Sequence, residues 1–130
     1  MSTSYSVILE EYAKRHYVSH FKKKYKGAWD ITWAAIIEEF KRFDSLFQTS
    51  IAETIIDKNN IKICKTEFRV AKTQESRKSS GNRCIVAVDE NAKIVHVLLV
   101  YNKNDLSGHN ETAAWKNIVR DNYPEYKDLF

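Results

Sequence analysis

The chain has few of the residues that interrupt regular structure. Its 130 residues include three glycines and one proline, which argues against collagen-like, linker-rich and turn-dense all-β architectures. Cys64 and Cys84 are the only cysteines, with no Cys-x-x-Cys pair and no close histidine partner. Neither a disulfide framework nor a cysteine metal site follows from them. Both are expected to be reduced, with Cys84 a small core residue inside RCIVAV. No apolar run approaches the roughly 18 residues that cross a bilayer. The opening MSTSYSVILEEYAKRHY lacks the basic, apolar and small-residue succession of a signal peptide, so the sequence predicts a cytoplasmic protein with no membrane association.

What the chain has is apolar and aromatic material, at 43% and 12% of residues. That suffices for one core and one domain, taken as residues 1–130. A short strand is expected at residues 5–9. Ala13, Tyr17, Phe21 and Tyr25 then recur every fourth residue up to the stop at Gly27. Asp30 or Thr32 caps a second helix, with Trp33, Ile36, Ile37, Phe40, Phe43 and Phe47 on its apolar side. Together these predict a helical hairpin over about 10–47. Residues 49–56 read as a third short helix or helical turn, followed by a polar turn at Asp57–Asn60.

Beyond that turn the period falls from 3.6 to 2. Ile61 and Ile63, Phe68 and Val70, RCIVAVD and KIVHVLLVY predict strands within about 61–101. The last run is apolar almost throughout, as befits a central or helix-covered strand. Asn110 caps a C-terminal helix over about 110–122, and Pro124 ends it. The expected fold is α+β: an N-terminal helical hairpin on a three- to four-stranded antiparallel sheet, with a C-terminal helix.

The net charge of +4 is small, but its distribution is uneven. Lys62, Lys65, Arg69, Lys72, Arg77, Lys78 and Arg83 face only Glu67 and Glu75 between residues 61 and 83, a local excess of +5. Lysines on strand edges are commonly just solvated and oppose aggregation. Arginines suit two-pronged contact with phosphate or carboxylate, so Arg69, Arg77 and Arg83 point to a phosphate-binding face. A second cationic run, Lys14, Arg15, Lys22, Lys23, Lys24 and Lys26, lies on the first helix.

No nucleophile elbow supports a serine triad. His16 and His20 have the i,i+4 spacing that zinc accepts. No third ligand is evident, and they read as helix-surface residues. His96, on an apolar strand, reads as a core or face histidine. Metal-free RNA cleavage fits better. It needs a base for the 2′-hydroxyl, cations for the phosphorane and an acid for the leaving 5′-oxygen. Arg69, Lys72, Arg77, Arg83, Tyr101, Lys103 and His109 have suitable side-chain types.

The stretch FRVAKTQESRKSSGNRCIVAVDENAKIVHVLLVYNKND, with Gly81-Asn82-Arg83 opening an apolar strand and Tyr101-Asn102-Lys103 closing the last one, resembles the central sheet of the RelE/ParE toxin superfamily. The resemblance spans roughly residues 5 to 103, helical hairpin included. It implies the toxin of a type II toxin–antitoxin pair that cuts messenger RNA on the ribosome with no metal or other cofactor. Arg69 and Lys72 would be strand cations, with Lys65, Arg77 and Lys78 as further phosphate contacts. Arg83 would clamp the scissile phosphate and Tyr101 would stack on or orient a base. Lys103 or His109 would be the acid or a further clamp.

The loop over residues 72–82 is longer than in compact members, so Arg77 and Lys78 have no family counterpart. Ala71 stands where some members carry a lysine, and no base is assigned, with Glu67 and Glu75 both open. The chain also extends past the usual C-terminus. The same resemblance admits a ParE-like gyrase poison that cuts nothing, and the charge pattern alone admits a non-catalytic RNA-binding module. Either toxin reading implies a cognate acidic antitoxin covering the basic site, in a heterotetramer or larger complex. Trp115, Tyr123, Tyr126 and Phe130 either join that surface or close the core.

Overall fold

The structure is a computed structural model that describes residues 4–106 and 110–130. Strand β1 (Ser6–Leu9) leads into helix α1. This helix has three contiguous pieces: an α-turn Glu11–Ala13, a π-helical segment Lys14–Val18 and an α-helical segment Ser19–Lys24. Gly27, at φ 80°, makes the reversal into α2 (Ala28–Phe40), a conformation that favours glycine. A short α3 (Phe43–Leu46) follows. Strands β2 (Ala52–Lys58) and β3 (Ile61–Phe68) come next. The chain then forms α4 (Arg77–Ser80), β4 (Asn82–Asp89) and β5 (Ile94–Asn102). A 3-10 turn Lys103–Asp105, helix α5 (Glu111–Asn122) and a 3-10 segment Pro124–Leu129 complete it.

The α+β class agrees with the sequence reading, but the finer arrangement does not. In place of one hairpin over about 10–47 the chain forms an α1 interrupted by a π-helical segment, an α2 that starts directly after Gly27 rather than at a cap on Asp30 or Thr32, and a separate α3. The sheet differs as well. It has five strands in the order β1-β5-β4-β3-β2 and is mixed, because β1 pairs parallel to β5 while the other pairs are antiparallel. The expected short helix at 49–56 is instead largely strand β2. Ile51, Ala52, Ile55 and Ile56 mimic a helical spacing because β2 carries a bulge between Thr54 and Ile56. The extra residue lets Ile55 and Ile56 pack on the same side of the sheet. A second bulge, opposite the Ile85/Val86 step, does the same for Leu98 and Leu99 on β5.

Each sheet face has its own core. On the first, Cys64, Phe68, Cys84, Val86, Val88, Val95, Val97 and Val100 pack against Phe21, Trp29, Ile36 and Phe40 of the helices. Phe68 is the anchor, with its ring 5.7 Å from Phe21 and 6.1 Å from Trp29. On the second, Ile63, Ile85, Leu98, Leu99 and Tyr101 pack beneath Trp115, Val119 and Tyr123. Trp115 and Tyr123 are buried, and Tyr126 and Phe130 pack against the same cluster, so the C-terminal aromatics close the core. With both faces covered, β4 and β5 are apolar almost throughout, as expected for strands in a sandwich interior. Among the described residues, no helix is long and apolar enough to cross a membrane.

Candidate functional site

The ends of β3, β4 and β5 meet at one edge of the molecule, because Phe68, Asn82 and Asn102 are cross-strand partners. Small polar groups lock this end. Asn102 donates its side-chain amide to Asn82 Oδ1 at 2.9 Å and to the Ser80 carbonyl at 3.1 Å. The Lys103 amide donates to the Gly81 carbonyl at 2.8 Å. Gly81 follows α4 in the left-handed region, at φ 77°, and a Cβ there would lie 3.1 Å from Lys103 Cγ. The glycine of the Gly-x-Arg element thus has two physical reasons: the helix stop and this close approach.

Three residues share one register row on the second face: Glu67 on β3 pairs with Arg83 on β4, which pairs with Tyr101 on β5. Arg83 is only 7% exposed and Tyr101 is fully buried. Helix α5 closes the row with Glu111, which accepts a hydrogen bond from the Tyr101 hydroxyl at 2.6 Å. Arg83 Nε lies 3.8 Å from Glu111 Oε2, and Nη1 lies 4.0 Å from Glu67 Oε2. Nη1 donates to the Asn82 carbonyl, while Nε has no hydrogen-bond partner. Burial first, and then the bond to Glu111, push the Tyr101 hydroxyl well above the usual tyrosine range. Tyr101 therefore stays protonated and acts as a donor.

The other expected site residues lie in separate places. Arg69 is exposed just past β3, in a hollow of about 210 Å³ shared with Thr32, Ile36, Glu39 and Arg77. Arg77 grips Glu39 of α2 with both terminal nitrogens, one at 2.9 Å, and also reaches the Glu67 carbonyl at 3.3 Å. That carboxylate raises the Arg77 pKa further, and its guanidinium ties the long loop to the helix layer. Lys78 is exposed beside a hollow of about 220 Å³ that Glu67 also lines. Lys72, at φ 69°, and Lys103 are exposed, while Lys65 is half-buried two residues along β3 from Glu67. Lys65, Arg69, Lys72, Lys78 and Lys103 form no ion pair among the described residues. His109 lies outside the described residues.

The structure thus joins Arg83 and Tyr101, leaves the exposed cations in separate places near the same sheet end, with Arg69 on the side of α2, and diverts Arg77 to an internal ion pair. The sequence reading left one participant open and missed another. Glu67 was one of two open choices, and strand register alone distinguishes it from Glu75, which lies in the loop. Glu111 follows the Asn110 cap, where an acid suits the helix dipole, so nothing local marked it as a partner of Arg83. Both cysteines are buried and free, and burial pushes Cys64 up to about 11 and Cys84 to about 12. Among the described residues, no group of three or more His, Cys, Asp or Glu is placed to hold a metal ion.

No protein-family model matches the chain, and neither the curated proteins nor the solved structures gave a match.

Proposed function

We propose that the protein is the toxin of a type II toxin–antitoxin system, a cytoplasmic endoribonuclease of RelE type that cuts messenger RNA without a metal, with ribosome-bound message as its substrate. The Glu67–Arg83–Tyr101 row is the observation that carries this reading. It places a carboxylate, a guanidinium whose buried Nε has no hydrogen-bond partner and a protonated phenol side by side, beside a sheet end whose Arg69 and Lys103 form no ion pair among the described residues. In this scheme Glu67 takes the proton of the 2′-hydroxyl and the 2′-oxygen attacks phosphorus. Arg83 neutralises the phosphorane, and the 5′-oxygen leaves with a proton, the resemblance offering Lys103 or His109 as its donor. The products are a 2′,3′-cyclic phosphate and a 5′-hydroxyl. Tyr101 holds Glu111, and Arg69, Lys72, Lys78 and Lys103 would bind the flanking backbone. An acidic antitoxin would compete for the same cations.

One observation favours a second reading, a non-catalytic RNA-binding module. Arg83 sits between two carboxylates and is nearly covered, an arrangement that on its own disfavours a phosphate.

Expression of Glu67→Gln and Arg83→Lys separates the two. Both variants retain a hydrogen-bonding group of similar size, so the fold should survive. The proposal expects growth inhibition to disappear in Glu67→Gln and to fall sharply in Arg83→Lys, with unchanged circular dichroism. Full toxicity of folded Glu67→Gln overturns the nuclease assignment. If it coincides with inhibited supercoiling, the chain is a gyrase poison.

A further inference from the structure

A large hollow among the described residues lies away from the Arg83 row. It is a groove of about 620 Å³ between α1 and the end of β5, with His16, Tyr17, His20, Lys23, Lys24 and Asp105 on its walls. That volume lies within the range of sites that hold one small ligand or one nucleotide. A smaller hollow sharing His20, Lys24 and Asp105 continues it to Asn82 and Asn102, so the groove reaches the sheet end where the row begins.

We propose that this groove binds a nucleotide of single-stranded RNA, stacking the base on imidazole and fixing its phosphate with Lys23 and Lys24. Three independent features support it. First, the walls combine flat rings with cations. Single-stranded nucleic acid is held in this way, by base stacking on aromatic faces and a backbone tracked by positive charge. The His16 ring is already oriented by Tyr12, with centroids 4.4 Å apart. Second, the cationic run of α1 is unneutralised here. Arg15 pairs with Glu11 at 3.0 Å, whereas His16, His20, Lys23 and Lys24 form no ion pair among the described residues. Third, the helix departs from α geometry at this wall: the π-helical segment Lys14–Val18 carries His16 and Tyr17. Such segments are rare, arise mostly as single-turn bulges inside α-helices and are frequent at functional sites.

A metal ion is a poorer occupant, since His16, His20 and Asp105 are not placed as a ligand group. An acidic peptide would use the lysines but leave the rings without a role. The inference shares RNA as ligand with the nuclease reading and needs no cleavage.

The test uses the intact protein and a labelled 2′-O-methyl oligouridine, which cannot be cut, so that binding is read without catalysis. By fluorescence anisotropy, His20→Ala should bind roughly tenfold more weakly and His20→Phe should restore affinity, because stacking needs only a flat face. The paired reversal Lys23→Glu/Lys24→Glu should weaken binding further. It should also lower the salt-dependence slope by about 0.7, the value for the one phosphate the groove holds. Lys58→Glu, at the far β2–β3 turn, should change the slope little. Wild-type affinity in His20→Ala together with an unchanged slope in the double reversal overturns the proposal. The same holds if the groove variants lose only their neutralisation by an acidic antitoxin, since the groove is then a peptide site. Glu67→Gln keeps the two readings apart: loss of toxicity there with intact binding in the groove variants sinks the groove alone. Toxic Glu67→Gln with weakened groove variants sinks the nuclease site alone.

Discussion

Arg83→Met removes the guanidinium from the centre of the row while keeping much of its apolar stem. Two carboxylates lie 3.8 and 4.0 Å from that charge. At an effective dielectric near 20, one pair about 4 Å apart is worth about 4 kcal/mol before desolvation. Desolvation of Arg83 and repulsion between Glu67 and Glu111 offset most of the sum. The side chains of Glu67 and Glu111 are 24% and 27% exposed, so water takes up part of the charge left behind. The expected net loss is therefore about 2–3 kcal/mol, below the 3–5 typical of a fully buried broken pair. A 130-residue domain unfolds with an entropy of about 0.27 kcal/mol per degree, so the melting temperature should fall by about 7–11 °C. Adding Glu111→Gln removes one uncompensated charge and should recover about half of that. Thermal unfolding followed by far-UV circular dichroism reads both. A single variant melting within about 2 °C of wild type, or a double variant melting below the single, would refute the electrostatic account of the row.

Trp115→Ala empties the centre of the second core, where Trp115 is fully buried, and should cost about 3–5 kcal/mol in urea unfolding. A double-mutant cycle on Arg77 and Glu39 should return a coupling of about 1 kcal/mol, since the two-pronged pair is partly solvated, with side-chain exposures of 39% and 24%. A coupling near zero would leave Arg77 free for RNA. Cys64 and Cys84, raised to about 11 and about 12 from 9.0, keep their protons to higher pH when folded than when unfolded. Stability should thus be insensitive to them below about pH 9 and fall above it, by up to about 2.7 kcal/mol per pH unit for the two. Tyr17 and Tyr126, raised to about 12 from 10.0, add to the fall above about pH 10. Urea midpoints at about pH 8 and about pH 10 check the sign, and neither thiol should react with a disulfide reagent in the native protein.

The sequence revealed the class of fold because its strongest signals are local. The four-residue recurrence of Tyr17, Phe21 and Tyr25 marks a helix without reference to anything distant, and so does the apolar run of β5. The Gly81 stop and the cationic segment were legible for the same reason. Two bulges hid the rest of the sheet. Each shifts the period of two by one residue, and at Ile55–Ile56 the shifted pattern is indistinguishable from a helical one. The parallel pairing of β1 with β5 joins residues about ninety positions apart, which no window contains. The site was legible by residue type but not by partner. Arg83 and Tyr101 stood out, yet Glu67 joins them only through strand register. Glu111 joins them only because α5 folds back across the second face. Arg77, which read as a phosphate ligand, meets Glu39 from a helix nearly forty residues upstream. The His16–His20 pair looked like ordinary surface until β5 formed the opposite wall of its groove.

The central claim is that the Glu67–Arg83–Tyr101 row cuts RNA without a metal. The most direct measurement is primer extension on a message being translated in a purified system, with the ribosomes' magnesium retained, alongside a 2′,3′-cyclic phosphate assay on free RNA in excess EDTA. The account predicts wild-type cleavage within the translated frame and cyclic phosphate ends in any EDTA-resistant product. It predicts neither with folded Glu67→Gln. Intact message with wild-type protein, or cleavage by Glu67→Gln at the wild-type rate, would contradict it.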